Sequence, residues 1–369
     1  MNTEELKGRI TRHLETLVRI RSTADRPEEL QRAVDYVARV LADLPTHRYE
    51  SQGKPSVVFD LSGSRNPEVL FVGHLDVVPA EDHQFEPRRK DDRLYARGAL
   101  DMKGPDAVLL TLFESLMRQG KHPPVALMFT TDEEVGGVNG VGYLVNQEHW
   151  RARFAIIPDG GENFTIITEG KGVLHAVFTA QGKATHGSTP WSGENALEKL
   201  VRIYQILQSR RPQEPCGDPH HWHETLTLGA LHGGDAPNRV PDHAEMKLDF
   251  RFPAPKTSQE LVAEINTVVQ QFPGVDWHPL STGEPFYTSP EDPYLRRFHR
   301  VAEEVLHRPV AFGKEHGATD GRFLAEKGIP CIILYPVGGG IHGPDEWVDL
   351  SSLVLLYQIF ERFLQTLGT

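Results

Sequence analysis

The chain has 369 residues, enough for two domains and a sizeable core, and its 39 basic and 51 acidic side chains give a formal charge of −12. No Lys/Arg cluster or stripe breaks that acidity, which argues against a nucleic-acid partner or an anionic membrane surface. The two cysteines, Cys216 and Cys331, sit far apart in no metal-type spacing, the N-terminus lacks a basic and apolar leader, and no apolar run reaches membrane-spanning length, so the expectation is a soluble cytoplasmic protein.

Residues 4–20 and 27–44 read as amphipathic helices, with Leu6, Ile10, Leu14, Leu17 and Ile20 at helical spacing in the first. Ser56–Leu61 reads as a strand closed by a Gly-Ser-Arg-Asn-Pro turn. Val69-Leu70-Phe71-Val72 is a buried strand that turns at Gly73 and delivers His74 and Asp76 to one face. A short strand at Arg93–Ala96 enters Arg97-Gly98-Ala99-Leu100-Asp101-Met102-Lys103-Gly104, and a helix follows over 105–119 with Pro105 in its first turn. Val125–Thr130 and Phe154–Ile157 are further strands, ending in Asp132-Glu133-Glu134-Val135-Gly136-Gly137 and in Pro158-Asp159-Gly160-Gly161. Strands alternating with helices predict an α/β domain on a mostly parallel sheet, with helices on both faces.

Near residue 172 the pattern changes. Strands at Gly172–Ala180, Glu224–Leu231, Ala244–Phe252 and Val275–Leu280, with helices at about 194–209 and 257–271, give the β-α-β-β-α-β order of a ferredoxin-like α+β unit. The expected organisation is thus an α/β domain, 1–171 and 285–369, with a separate domain inserted at 172–284. After it come a helix at Pro293–Leu306, a buried strand at Cys331–Tyr335 and a closing helix at Leu350–Leu367.

The polar residues at strand ends and Gly-rich turns are His74, Asp76, Asp101, Glu133, Glu134, Asp159 and His342. In open α/β sheets, sites form at the carboxyl ends of strands, where such residues can converge. Two imidazoles and several carboxylates without a thiolate suit zinc, cobalt or manganese. The carboxylates exceed the needs of one ion; two ions roughly 3.5–4 Å apart, sharing one carboxylate, would use them. Glu133 and Glu134 leave the strand in different directions, so one can ligate while the other acts as general base. Read alone, Asp132-Glu133-Glu134 is a solvated acidic turn; after an apolar strand, before Gly-Gly and with His74-X-Asp76 elsewhere, that reading loses ground.

Together Gly73-His74-Leu75-Asp76-Val77-Val78-Pro79, Gly98-Ala99-Leu100-Asp101-Met102-Lys103-Gly104 and Asp132-Glu133-Glu134 resemble the M20 metallopeptidases, which include deacetylases, desuccinylases, aminoacylases, carboxypeptidases and dipeptidases. The resemblance spans nearly the whole chain. It implies that His74 and Asp159 hold one metal, Glu134 and His342 the other, and Asp101 both. It implies too that Glu133 is the general base and that Asp76 orients His74. Gly182-Lys183-Ala184-Thr185-His186-Gly187-Ser188 resembles the lid segment whose histidine stabilises an oxyanion, often across a homodimer formed through the lid. Asn238 and Arg251 resemble residues that grip substrate, the Arg251 fork suiting a carboxylate, and Gly317–Asp320, with Thr319, and Gly338–Gly340 resemble substrate-side loops.

The expected activity is amide hydrolysis of an N-acyl amino acid with a free carboxylate. The alternatives are a dipeptidase or carboxypeptidase, or a catalytically idle binding protein; a two-metal phosphoesterase would lack basic residues for phosphate. Asp159 looks like the dipeptidase branch, whereas 281–286 and 319–323 look like the desuccinylase and deacetylase side. His220, His221 and His223 receive no role: their Pro-rich context, without nearby carboxylates, reads as a loop.

Overall fold

The computed structural model describes residues 2–212, 215–218 and 220–367. The chain divides into two compact units, one of Met1–Thr168, Tyr287–Glu315 and Thr319–Thr369, the other of Glu169–Phe286 and His316–Ala318.

The first unit is built on a mixed sheet. At its centre four strands run parallel in the order Val125–Thr130, Val69–His74, Phe154–Ile157, Cys331–Ile333. All four are buried along their whole length, as continuous apolar runs in a covered parallel sheet should be. The flanks are antiparallel: Lys54–Asp60 and then Thr46–Ser51 on one side, Ile166–Gly170 on the other. The sheet is therefore less parallel than the strand–helix alternation predicts. The cause on one side is a two-residue hairpin. Gln52 and Gly53 both have positive φ, 49° and 73°, a turn that can only return the chain antiparallel.

Helices Thr3–Val18, Lys103–Gln119, Pro293–Leu306 and Leu350–Gln365 share one apolar core with this sheet. Phe71 of the central strand lies edge-on to Phe113 and Phe360, ring centres 6.1 and 5.3 Å away. The helices start where side chains satisfy their first N–H groups. Asn2 accepts from Glu5 N at 2.8 Å, Asp292 from Tyr294 N at 2.8 Å, and Asp349 from Ser352 N at 2.8 Å.

In the second unit a four-stranded antiparallel sheet has the order Thr225–Gly233, His243–Phe252, Gly172–Gln181, Val275–Gly283. Helices Ala196–Ser209 and Ser258–Val269 pack on it through Leu200, Ile203, Leu207, Leu261 and Ile265. This is the ferredoxin-like arrangement expected from the element order.

Candidate metal centre

Because the central strands are parallel, their carboxyl ends meet at one edge of the sheet. Val69–His74 ends on His74, Val125–Thr130 runs into Asp132-Glu133-Glu134, and Phe154–Ile157 into Asp159. Gly73 has no room for a side chain: a Cβ there would lie 2.1 Å from Asp106 Oδ1. Gly136 and Gly137, at φ 108° and 62°, turn the chain sharply after the Glu pair.

Two sets of donor atoms converge, His74 with Asp101 and Asp159, and Glu134 with Asp101 and His342. Asp101 belongs to both: its Oδ1 is 3.1 Å from His74 Nε2 and its Oδ2 is 3.2 Å from His342 Nε2. His74 Nε2 is also 3.6 Å from Asp159 Oδ1, and His342 Nε2 3.3 Å from Glu134 Oε2. Two ligand atoms, each about 2.0–2.1 Å from one tetrahedral ion, lie about 3.3–3.4 Å apart. The observed spacings of 3.1–3.6 Å and the nitrogen and oxygen donors thus fit a pair of divalent cations sharing Asp101. Glu133 belongs to neither set.

The supporting contacts fix the donors. His74 Nδ1 donates to the Asp76 carbonyl at 3.1 Å, which places the ring proton there and turns Nε2 toward the site. The Asp76 carboxylate is farther, at 3.5 Å, so the carbonyl is the closer orienting group. That carboxylate instead accepts from Glu133 N at 3.3 Å and Glu134 N at 3.1 Å and pins the turn that carries both.

Burial crowds these charges. Burial, with the Asp159 charge next, holds the Glu133 carboxyl well above the usual carboxylate range. Burial pushes Glu134 up to about 7, Asp101 and Asp76 adding to the effect while His74 and His342 oppose it. Asp132 is pushed up to about 6 by burial. Burial alone would lower His74, but Asp159, Asp101 and Asp76 outweigh it and raise it well above 6.5. Bound dications would relieve this repulsion.

The folded metal-free chain therefore keeps protons that the unfolded chain releases at ordinary values of 4.5 for Glu134 and 3.8 for Asp132, so its stability falls as pH rises from about 4.5 to about 7. Asp101 shifts downward, but from 3.8, below that window, so it is ionised in both states across it. The chelated protein should melt lower at about pH 7.5 than at about pH 5.5, and excess zinc should remove the difference. A chelated melting temperature that rises over this interval contradicts the crowding.

The family model for Peptidase family M20/M25/M40 matches residues 70–366. The chain belongs to this family. As a member, it is a hydrolase acting on amide or peptide bonds. It is 30% identical over 329 residues to succinyl-diaminopimelate desuccinylase of Xylella fastidiosa (strain M12), covering 83% of this chain and 85% of the relative. Its fold is similar to that of aminopeptidase PepT from Bacillus cereus ATCC 10987 (TM-score 0.78, 18% identity, 97% and 98% covered). It is also similar to the M20 family metallo-carboxypeptidase Sso-CP2 from Sulfolobus solfataricus (TM-score 0.74, 19% identity, 96% and 98% covered).

Other buried groups in this M20/M25/M40 member escaped the sequence reading. Glu346 holds the Asp101 turn: its Oε1 accepts from Leu100 N at 2.9 Å and Asp101 N at 3.0 Å, its Oε2 from Gly98 N at 2.9 Å and Arg97 Nη1 at 2.7 Å. Tyr335 donates its hydroxyl to Asp159 Oδ1 at 2.6 Å. Asp106, behind Gly73, is buried, and burial keeps its carboxyl well above the usual range. Only the nearness of Glu346 to His342, in His342-Gly343-Pro344-Asp345-Glu346, could have flagged the first.

The remaining expected residues divide. Thr319 Oγ1 accepts from Gly321 N at 3.2 Å at the start of helix Gly321–Ala325. In the second unit, His186 and Asn238 lie on adjoining loops, joined by Gly187 N donating to the Asn238 carbonyl at 2.6 Å. His186 Nδ1 accepts from Ser188 N at 3.2 Å, which leaves the ring proton on Nε2. Arg251, toward the far end of strand His243–Phe252, is gripped by Asp249 through Nε at 2.9 Å and Nη2 at 3.3 Å.

Proposed function

We propose that the chain is a two-metal hydrolase that removes an acyl group, foremost a succinyl group, from an amino acid carrying a free carboxylate. The observation that carries the reading is Asp101, shared by two donor sets, with Glu133 in neither set but under the influence of the Asp159 and His74 charges of one of them. The relatedness to a desuccinylase over most of both chains supports the acyl class. A dipeptidase or carboxypeptidase is the second reading, favoured by Asp159 in its Pro-Asp-Gly context and by the fold likeness to peptidases.

His74, Asp159, Asp101, Glu134 and His342 would hold the metals, zinc first, with cobalt and manganese as substitutes. When bound, the metals polarise the scissile carbonyl and lower the pKa of water. Glu133 takes the proton of the attacking water and hands it to the leaving amine. Asp76 holds Glu133 and Glu134 in place through their backbone N–H groups. Tyr335 fixes the Asp159 carboxylate. His186, with its proton on Nε2, is proposed as the donor to the oxyanion, and Asn238 as a substrate contact. Arg251 could serve a substrate carboxylate only by exchange with Asp249. The reading includes a cytoplasmic setting and a homodimer through the second unit, whose sheet ends on strand Thr225–Gly233.

A panel of N-succinyl-diaminopimelate, N-succinyl and N-acetyl amino acids and dipeptides tests the substrate class. N-acyl amino acids should exceed dipeptides in kcat/KM by about 10²-fold or more. Faster dipeptide cleavage would move the peptidase reading to the front.

A further inference from the structure

A third donor cluster lies in the second unit. Cys216, His221 and His223 place one ligand atom each within 4.8 Å of one another, and Cys216 Sγ is 3.3 Å from His221 Nδ1. Around a tetrahedral zinc, with Zn–S about 2.3 Å and Zn–N about 2.0–2.1 Å, a sulfur and a nitrogen ligand lie about 3.5 Å apart. We propose that Cys216, His221 and His223 form a zinc site separate from the catalytic pair.

The loop around these residues is built to hold them. The Asp218 carboxylate accepts from His220 N at 2.9 Å and Trp222 N at 2.7 Å and folds the chain so that the cysteine and the two histidines face one another. Trp222 donates its indole N–H to Glu169 at 3.1 Å and lies edge-on to His316, ring centres 5.5 Å apart. Lys171, itself buried, donates to the His221 carbonyl at 3.0 Å. The backbone at His221 and the side chain between the two histidines are thus tied to residues 169 and 171, at the start of the unit. His223 Nδ1 donates to the Glu224 carbonyl at 2.9 Å, which puts its proton there and makes Nε2 the ligating nitrogen. His74 uses the same device.

One sulfur and two nitrogens form a softer set than the catalytic one and suit zinc. Binding displaces the Cys216 thiol proton to solvent and closes residues 216–223 into a ring through the metal. Among the described residues three donors converge here, and His221 is the exposed one. The sequence reading set these histidines aside for want of carboxylates, although Asp218 and Glu224 flank them, and it passed over Cys216, five residues before His221.

Cobalt distinguishes this site from the catalytic centre, because only a thiolate ligand gives a sulfur-to-cobalt charge-transfer band and the catalytic donors are all nitrogen and oxygen. The other cysteine, Cys331, is buried and its thiol is pushed up to about 12. The full chain loaded with cobalt should show the band in wild type, Cys331→Ala and Asp101→Asn. Cys216→Ser should lose it, and His223→Ala should weaken cobalt binding at this site by about tenfold or more. No band in wild type, or a band that survives Cys216→Ser, overturns the proposal. Should Cys216→Ser fail to fold, alkylation of folded Cys331→Ala decides. Zinc should slow Cys216 modification at least about tenfold, and an unchanged rate overturns the site.

Discussion

Glu133→Gln should leave both metals bound and reduce kcat by about 10²–10⁴-fold, the range a positioned general base supplies. The substitution keeps the side chain's size and one oxygen but cannot take up a proton. The backbone N–H groups of residues 133 and 134 still reach Asp76, so the turn and the Glu134 ligand stay in place. Glu133 stands in neither donor set, so metal affinity has no reason to fall. Its carboxyl is held high by burial and by Asp159, a negative charge that bound metals would offset, bringing the group toward the neutral range a base needs. Metal analysis beside steady-state kinetics checks the pair of outcomes. Lost metal would make Glu133 a ligand, and retained turnover would pass the proton transfer to another group.

Asp101→Asn should do the reverse and remove the metals. One carboxylate faces His74 with one oxygen and His342 with the other, so both donor sets lose charge together. Affinity should drop by more than the 10–100-fold typical of losing a supporting residue, and activity should return only partly at high zinc. Turnover should fall with occupancy, so kcat per bound metal pair separates this variant from Glu133→Gln. Loss of a single ion, with the other held at wild-type affinity, would contradict a shared carboxylate.

The parts of the site legible in the sequence were those announced by a local pattern. Val69–Val72 is an apolar run that stops at a glycine and a histidine, and burial of the whole strand leaves its end as the one place for polar groups. The Glu pair after Val125–Thr130 and Asp159 after Phe154–Ile157 follow the same logic. Asp101 was picked out only by its Gly-rich turn, without a strand end to announce it, and its shared role came from resemblance. Glu346 was missed because its partners are about 245 residues earlier in the chain, a separation no local pattern spans. Thr46–Ser51 was missed as a strand because it alternates exposed and half-buried polar residues and gains its order from pairing with Lys54–Asp60. The antiparallel pairing of that edge strand followed from the hairpin.

The central claim is that these ligands hold a metal pair that makes the chain a hydrolase. The most direct measurement is metal content with a parallel assay on N-succinyl and N-acetyl amino acids and dipeptides, after chelation and after adding back zinc, cobalt or manganese. The account predicts loss of hydrolysis on chelation and its return as the Asp101-centred pair refills, the Cys216→Ser chain serving to count those two ions apart from any at the second unit. Hydrolysis that persists in the fully chelated protein, or a protein that binds no metal and hydrolyses none of these substrates under any of them, would contradict it.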